Sequence, residues 1–171
     1  MMTKHVKKPV PLKMVSACMA GVQCRYNGQS KTVPMLRDMV QRGDAIALCP
    51  ERLAGLATPR RPAEIKGGDG YAVLDGKARV YDDLGEDLTG AFIIAAYKTL
   101  HVLQAAGVNE VVLKEGSPSC GCNEIYDGTF SGTRKSGVGV TTALLLRSGI
   151  HVYSEKMLFG DAQPELVLSN M

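Results

Sequence analysis

The sequence predicts an α/β fold: a single domain with a mostly parallel sheet flanked by helices, Rossmann-like in layout, plus a β-hairpin insertion. Two observations carry this reading. Four short apolar runs, at 13–17, 45–48, 111–113 and 150–153, have the length and composition of buried strands. Three intervening stretches space their apolar residues as helices do, and each is closed by a glycine. Strands that alternate with helices pair in parallel, because the helix carries the chain back to the starting edge. No repeat and no linker divides the chain, so one domain is expected over 12–156. A flexible basic leader is expected over 1–11 and a tail over 157–171.

Taken in order, residues 13–17 form the first strand and run into Cys18. A loop rich in Gly, Asn and Ser follows over 20–31. Val33, Leu36, Met39 and Val40 then recur at helical spacing, and Gly43 can leave that helix in the left-handed conformation. The strand at 45–48 leads straight into Cys49, Pro50 and Glu51. Prolines at 50, 59 and 62 predict an irregular stretch. Residues 71–74 and 77–81 flank Asp75-Gly76, a pair suited to a type I′ turn, and this predicts the hairpin. Asp87 or Thr89 can cap a helix that runs to Ala106 and ends at Gly107. Its stripe of Leu88, Phe92, Ala96, Leu100 and Leu103, widened by Ile93, Ile94 and Val102, predicts deep burial. The third strand, 111–113, opens into the loop Gly-Ser-Pro-Ser-Cys-Gly-Cys, and a helix over 138–147 returns the chain to the last strand.

Composition narrows the function. Of 171 residues, 45% are hydrophobic and 22% charged, as in an ordinary globular protein. No apolar stretch approaches the roughly 20 residues a membrane span needs. The basic start lacks the apolar core of a secretory signal, which predicts a cytoplasmic protein. Twenty basic against 17 acidic residues leave +3, too little for a nucleic-acid binder without a concentrated basic face. Arg52, Arg60 and Arg61 are the nearest approach to one, and arginines so placed are usually solvated or paired with carboxylates.

Five cysteines, Cys18, Cys24, Cys49, Cys120 and Cys122, occur in a chain expected to stay in a reducing compartment, where structural disulfides are rare. Taken singly, each reads first as a small buried hydrophobe. Their placement says more. Cys18 and Cys49 directly follow strands one and two, and Cys120 lies in the turn-rich loop after strand three. Ligand crevices of parallel sheets lie beyond the carboxyl ends of the strands, so three thiols distant in sequence meet at the expected functional edge. Zinc usually takes Cys-x2–4-Cys pairs, and none occurs here. An iron–sulfur cube is large enough to be reached from three separate strand ends. Among the carboxylates Glu51 stands out, two residues past Cys49 and at the same strand end. Ser117 and Ser119 flank Pro118 beside Cys120, as turn formers or as hydroxyls facing the crevice. Glu64 and Asp127 read as solvated loop carboxylates. His5, His101 and His151 read as packed or surface residues.

Five segments, VSACMAGVQCRYNGQSK, CPERLAGLATPRRPAEI, LKEGSPSCG, IYDGTFSG and GVGVTTALL, together resemble a small bacterial family that includes iron–sulfur-dependent thiouracil desulfurases. The resemblance runs from about Met14 to Glu155. It implies a 4Fe–4S cluster held by Cys18, Cys49 and Cys120, with one iron free to take sulfur from a thiolated base, and hydrolytic release of sulfide. Glu51 is implied as the base that activates water, and Ser117 or Ser119 as the group that orients the ring. The expected partner is a small thiolated base, with no membrane and no nucleic acid. The competing expectation is a sensing or binding module that holds iron–sulfur or zinc without turnover.

Overall fold

A computed structural model describes residues 12–159. The expected leader, 1–11, and residues 160–171 of the expected tail lie outside the described residues. The first strand, β1 (Lys13–Ser16), stops one residue early, because Ala17–Ala20 tightens into a 3-10 turn that ends at Gly21, φ 97°. Helix α1 (Pro34–Gln41) starts on a proline, whose missing N–H costs nothing in the first turn, and Gly43 follows its end at φ 79°. It returns the chain to β2 (Ala45–Leu48), which pairs with β1 in parallel, Val15 opposite Ala47.

The stretch expected to be irregular contains one helical turn, α2 (Pro50–Leu53). Pro50 sits at its first position, where φ is already helical, so the proline starts a helix here instead of preventing one. The hairpin is displaced from its expected place. Residues 70–74 form α3 (Gly70–Leu74), capped by Asp69 Oδ1 accepting from the Ala72 N–H at 3.3 Å. Asp75-Gly76 is therefore a helix exit, with Gly76 at φ 74°, and not a type I′ turn. The same dipeptide satisfies either geometry, and the Asp69 cap decides for the helix. The antiparallel partner of β4 (Arg79–Asp82) is β3 (Ala63–Lys66), with Ile65 opposite Val80.

Helix α4 (Thr89–Ala106) ends at Gly107 as expected. Asp87 Oδ1 accepts from the Thr89 N–H at 2.9 Å, while Thr89 Oγ1 accepts from the Val80 N–H at 2.9 Å and ties the helix to β4. Phe92, Ala95, Ala96, Thr99 and Leu103 form the buried face. Ile94 is 50% exposed, because two residues beyond Phe92 a helix has turned about 200°. Then come β5 (Glu110–Leu113) and a second antiparallel pair, β6 (Glu124–Tyr126) and β7 (Arg134–Ser136). Helix α5 (Val140–Arg147), β8 (His151–Ser154) and α6 (Glu155–Phe159) complete the described chain.

The main sheet is parallel throughout, in the order β2-β1-β5-β8. Alternation along the strands divides its two faces. Val15 and Val112 pack with Leu36 of α1 on one side. Met14, Val111 and Leu113 pack with Leu103 of α4 and Leu145 of α5 on the other. A further core joins the β3–β4 ribbon to α4 and α5 through Ile65, Val80, Phe92, Ile125 and Val140. From β1 the chain passes to β2 on one side and later reaches β5 on the other. The carboxyl ends of β1 and β5 therefore flank the switch point, where such sheets open a crevice. No described helix is long and apolar enough to cross a membrane.

Candidate active site

A cavity of about 610 Å³ opens at that switch point. Ser16, the last residue of β1, fixes its floor: its Oγ accepts the Lys114 N–H at 3.0 Å, locking the ends of β1 and β5 together. Cys18 reaches the cavity from the 3-10 turn, Cys49 from the end of β2 and Cys120 from the loop after β5. The structure thus brings the three expected thiols to one wall. Cys24 joins them from the 20–31 loop, so four of the five cysteines line the cavity.

The thiols lie close enough to perturb one another. Hydrogen bonding to Cys18 pushes the Cys24 thiol up to about 11, against a smaller opposing effect from Cys49. The bond to Cys24 and burial raise Cys49. Burial, with Cys49 and Glu51 nearby, holds Cys120 well above the ordinary thiol value. Thiols this reluctant to ionise alone become thiolates only when a cation compensates the charge. Cys122 lies apart: burial raises it too, its Sγ donates to the Cys120 carbonyl at 3.4 Å, and it packs against the core beside α5. Among the described residues, no three His, Cys, Asp or Glu side chains converge on a point the size of one metal ion. Soft thiols spread along a cavity wall suit a wider sulfur-bridged group better than a single tetrahedral zinc.

Glu51 stands on the first turn of α2 and is 8% exposed. Its Oε2 takes the Arg60 fork, Nε at 2.7 Å and Nη2, while its Oε1 accepts from Ser119 Oγ at 3.0 Å. Arg60 also donates to the Cys24 and Ala57 carbonyls, both at 3.2 Å. Arg61 pairs with Asp83 at 2.6 Å. Two of the three clustered arginines are thus bound to carboxylates.

Ser117 Oγ accepts the N–H groups of Ser119 and Cys120, at 3.1 and 3.2 Å, which folds the loop and aims Cys120. With its lone pairs so used, this cavity-lining hydroxyl has its proton left to offer. Ser119, 1% exposed, is not part of the cavity lining and donates to Glu51. The backbone of this loop meets the start of α5 so closely that a Cβ on Gly139 would stand 2.4 Å from the Ser119 carbonyl.

Two carboxylates weighed lightly or passed over in the sequence prove to be built in. Glu64 is on β3, 7% exposed, and lines the cavity, instead of standing solvated in a loop. Glu115 Oε1 accepts the N–H groups of Cys122, Asn123 and Glu124 at 2.7 to 3.0 Å. Asp127 does belong to a loop, bonding Thr129 locally. His101 and His151 are exposed, away from the cavity, and His5 lies outside the described residues. Arg25 and Lys31 also line the cavity, and Tyr126 and Phe130 supply flat apolar surface, with Phe92, 1% exposed, in the core behind.

With this geometry in place, comparisons with known proteins agree on one kinship. The family model described as 2-thiouracil desulfurase matches residues 14–157. The chain is 46% identical over 145 residues to "Uncharacterized protein YbbK" of Bacillus subtilis (strain 168), covering 85% of this chain and 96% of that one. A solved structure of the 4Fe–4S-dependent thiouracil desulfidase TudS superposes with a TM-score of 0.76 at 42% identity, covering 94% of this chain and 97% of that one.

Proposed function

Because the chain belongs to the 2-thiouracil desulfurase family, we propose that it removes sulfur from a small thiolated base by hydrolysis, with a 4Fe–4S cluster held by Cys18, Cys49 and Cys120. The observation that supports this most is the meeting of those three thiols in one cavity whose lining also includes aromatic and proton-handling groups. The donor set fits such a cluster: all three thiols are soft, and burial leaves Cys49 and Cys120 in need of a compensating cation. When bound, a cluster with three protein ligands supplies an iron open to a soft sulfur atom.

The protein's own groups do the rest. Tyr126 and Phe130 offer surface for a flat ring and exclude bulk water from it. Ser117 donates its free proton to the ring. Arg60 and Ser119 hold Glu51 in one orientation, leaving Oε1 a second lone pair. That lone pair accepts a proton from the water that attacks the thiocarbonyl carbon. The balance is closed: thiocarbonyl and water become carbonyl and hydrogen sulfide, and no external electron enters.

Anaerobic reconstitution with iron and sulfide, followed by 2-thiouracil or 4-thiouracil, tests the proposal. Stoichiometric loss of thiocarbonyl absorbance with release of sulfide is expected. A fully loaded protein that releases none contradicts it.

A further inference from the structure

Three buried carboxylates line the cavity, and their oxygens differ in what occupies them. Those of Glu51 are engaged by Ser119 and Arg60. Those of Glu115 are engaged by the backbone at Cys122, Asn123 and Glu124 and by the Asn123 amide at 3.1 Å. Glu64 is different. Its Oε2 accepts the N–H groups of Gly128 at 2.8 Å and Phe130 at 3.1 Å. Its Oε1 takes no hydrogen bond from any described residue, and none of the described ion pairs includes it. Nor is that oxygen sealed: the sealed, partnerless side-chain oxygens among the described residues are the hydroxyls of Thr141 and Thr142.

The anchor is a built feature. The β6–β7 loop comes so close to β3 that a Cβ on Gly128 would stand 2.6 Å from the Ile65 carbonyl. Phe130 holds φ 56°, the single positive value outside glycine among the described residues. Strained backbone of this kind persists where the surroundings over-determine it, and here it aims an N–H at Glu64. One oxygen is fixed, and the other is open on a side chain that lines the cavity.

An ionised carboxylate can only accept hydrogen bonds, so what it recognises is a donor. Given the desulfuration reading, on which this rests, we infer that Glu64 determines specificity. Its open oxygen accepts the ring N–H beside the thiocarbonyl carbon, selects bases that carry that N–H, and turns the sulfur toward the thiol wall. Hydrogen bonds to a charged group support a preference of about 10- to 150-fold for a ring N–H over its methylated form.

The test uses the full chain, loaded with iron and sulfide, and Glu64→Gln. The glutamine oxygen can keep the Gly128 and Phe130 bonds, while its amide turns the open acceptor into a donor. Equilibrium binding of uracil and 3-methyluracil is measured by calorimetry, without turnover. kcat/KM is measured on 4-thiouracil and 3-methyl-4-thiouracil. The wild type should prefer each N–H compound by the factor above. In Glu64→Gln, with iron content and Tm retained, the ratios should fall within about threefold of unity. A variant that keeps the wild-type ratio overturns the inference, and so does a wild type that binds uracil and 3-methyluracil equally, whatever the variant's stability. A wild type that prefers uracil yet releases no sulfide from 4-thiouracil overturns the desulfuration reading and leaves Glu64 its donor selectivity.

Discussion

Ser119 Oγ donates a 3.0 Å hydrogen bond to Glu51 Oε1 across 68 positions of sequence. This bond joins the loop that carries Cys120 to the turn that follows Cys49, so one carboxylate ties together the segments that carry two of the cavity's thiols. Arg60 completes the arrangement from the proline-rich stretch.

That arrangement separates catalysis from bracing. Glu51→Gln keeps one oxygen to accept from Arg60 and can donate its amide to Ser119 Oγ, so iron content should stay near wild type while turnover per bound cluster falls about 10²–10⁴-fold. Arg60→Met instead leaves a buried carboxylate unpaired, and should lower stability by about 3–5 kcal/mol in denaturant melts. A Glu51→Gln protein with normal turnover per cluster and reduced stability would make Glu51 a brace alone.

Glu115 gives the pH prediction. Burial would raise its carboxyl, but the N–H groups of Asn123, Glu124 and Cys122 and the Asn123 amide outweigh it and hold the group below 4.5. A folded value below the unfolded one means the carboxylate stabilises the fold above the unfolded value, and this contribution is lost as pH falls through the folded one. Glu115→Gln should cost roughly 3 kcal/mol at neutral pH, since it replaces charge-assisted bonds and sets an amide against backbone N–H groups. The gap to wild type should narrow below pH 4.5 in acid titrations monitored by circular dichroism. A gap that stays constant to pH 3 would show that the charge plays no part.

Gly139→Ala should disturb Cys120 from behind. Its Cβ would lie 2.4 Å from the Ser119 carbonyl and 2.8 Å from the Cys120 nitrogen. The loop must shift, at a cost of about 1–3 kcal/mol, and iron loading should fall with it. Gly90→Ala on α4, where nothing stands within 4 Å, is the matched control and should load normally.

How much of this the sequence shows depends on the range of each interaction. Cys18, Cys49 and Cys120 are legible because strand ends and topology place them, and both follow from local apolar periodicity. The Asp75-Gly76 pair is ambiguous because its turn geometry serves a helix exit as well as a hairpin, and the deciding Asp69 cap lies six residues upstream. The β6–β7 pair is missed because three-residue strands such as Arg134–Ser136 carry no apolar pattern. Glu64 is misjudged for a different reason. Its partners are backbone N–H groups 64 and 66 positions away, and backbone donors leave no mark in residue types. Arg60 stands in a cluster of three arginines, and only the fold shows that it is the one of the three that reaches Glu51.

Iron and acid-labile sulfide per chain, measured in the five single Cys→Ala variants after anaerobic reconstitution, test the central claim most directly. Cys18, Cys49 and Cys120 reach one cavity from three separate strand ends, so each removal should abolish a stable 4Fe–4S cluster. Cys122→Ala should retain the cluster, because its thiol packs into the core beside α5. Cys24→Ala should retain it as well, although that thiol lies between Cys18 and Cys49. A Cys49→Ala protein with four irons per chain, or a Cys24→Ala protein with none, would contradict the ligand set.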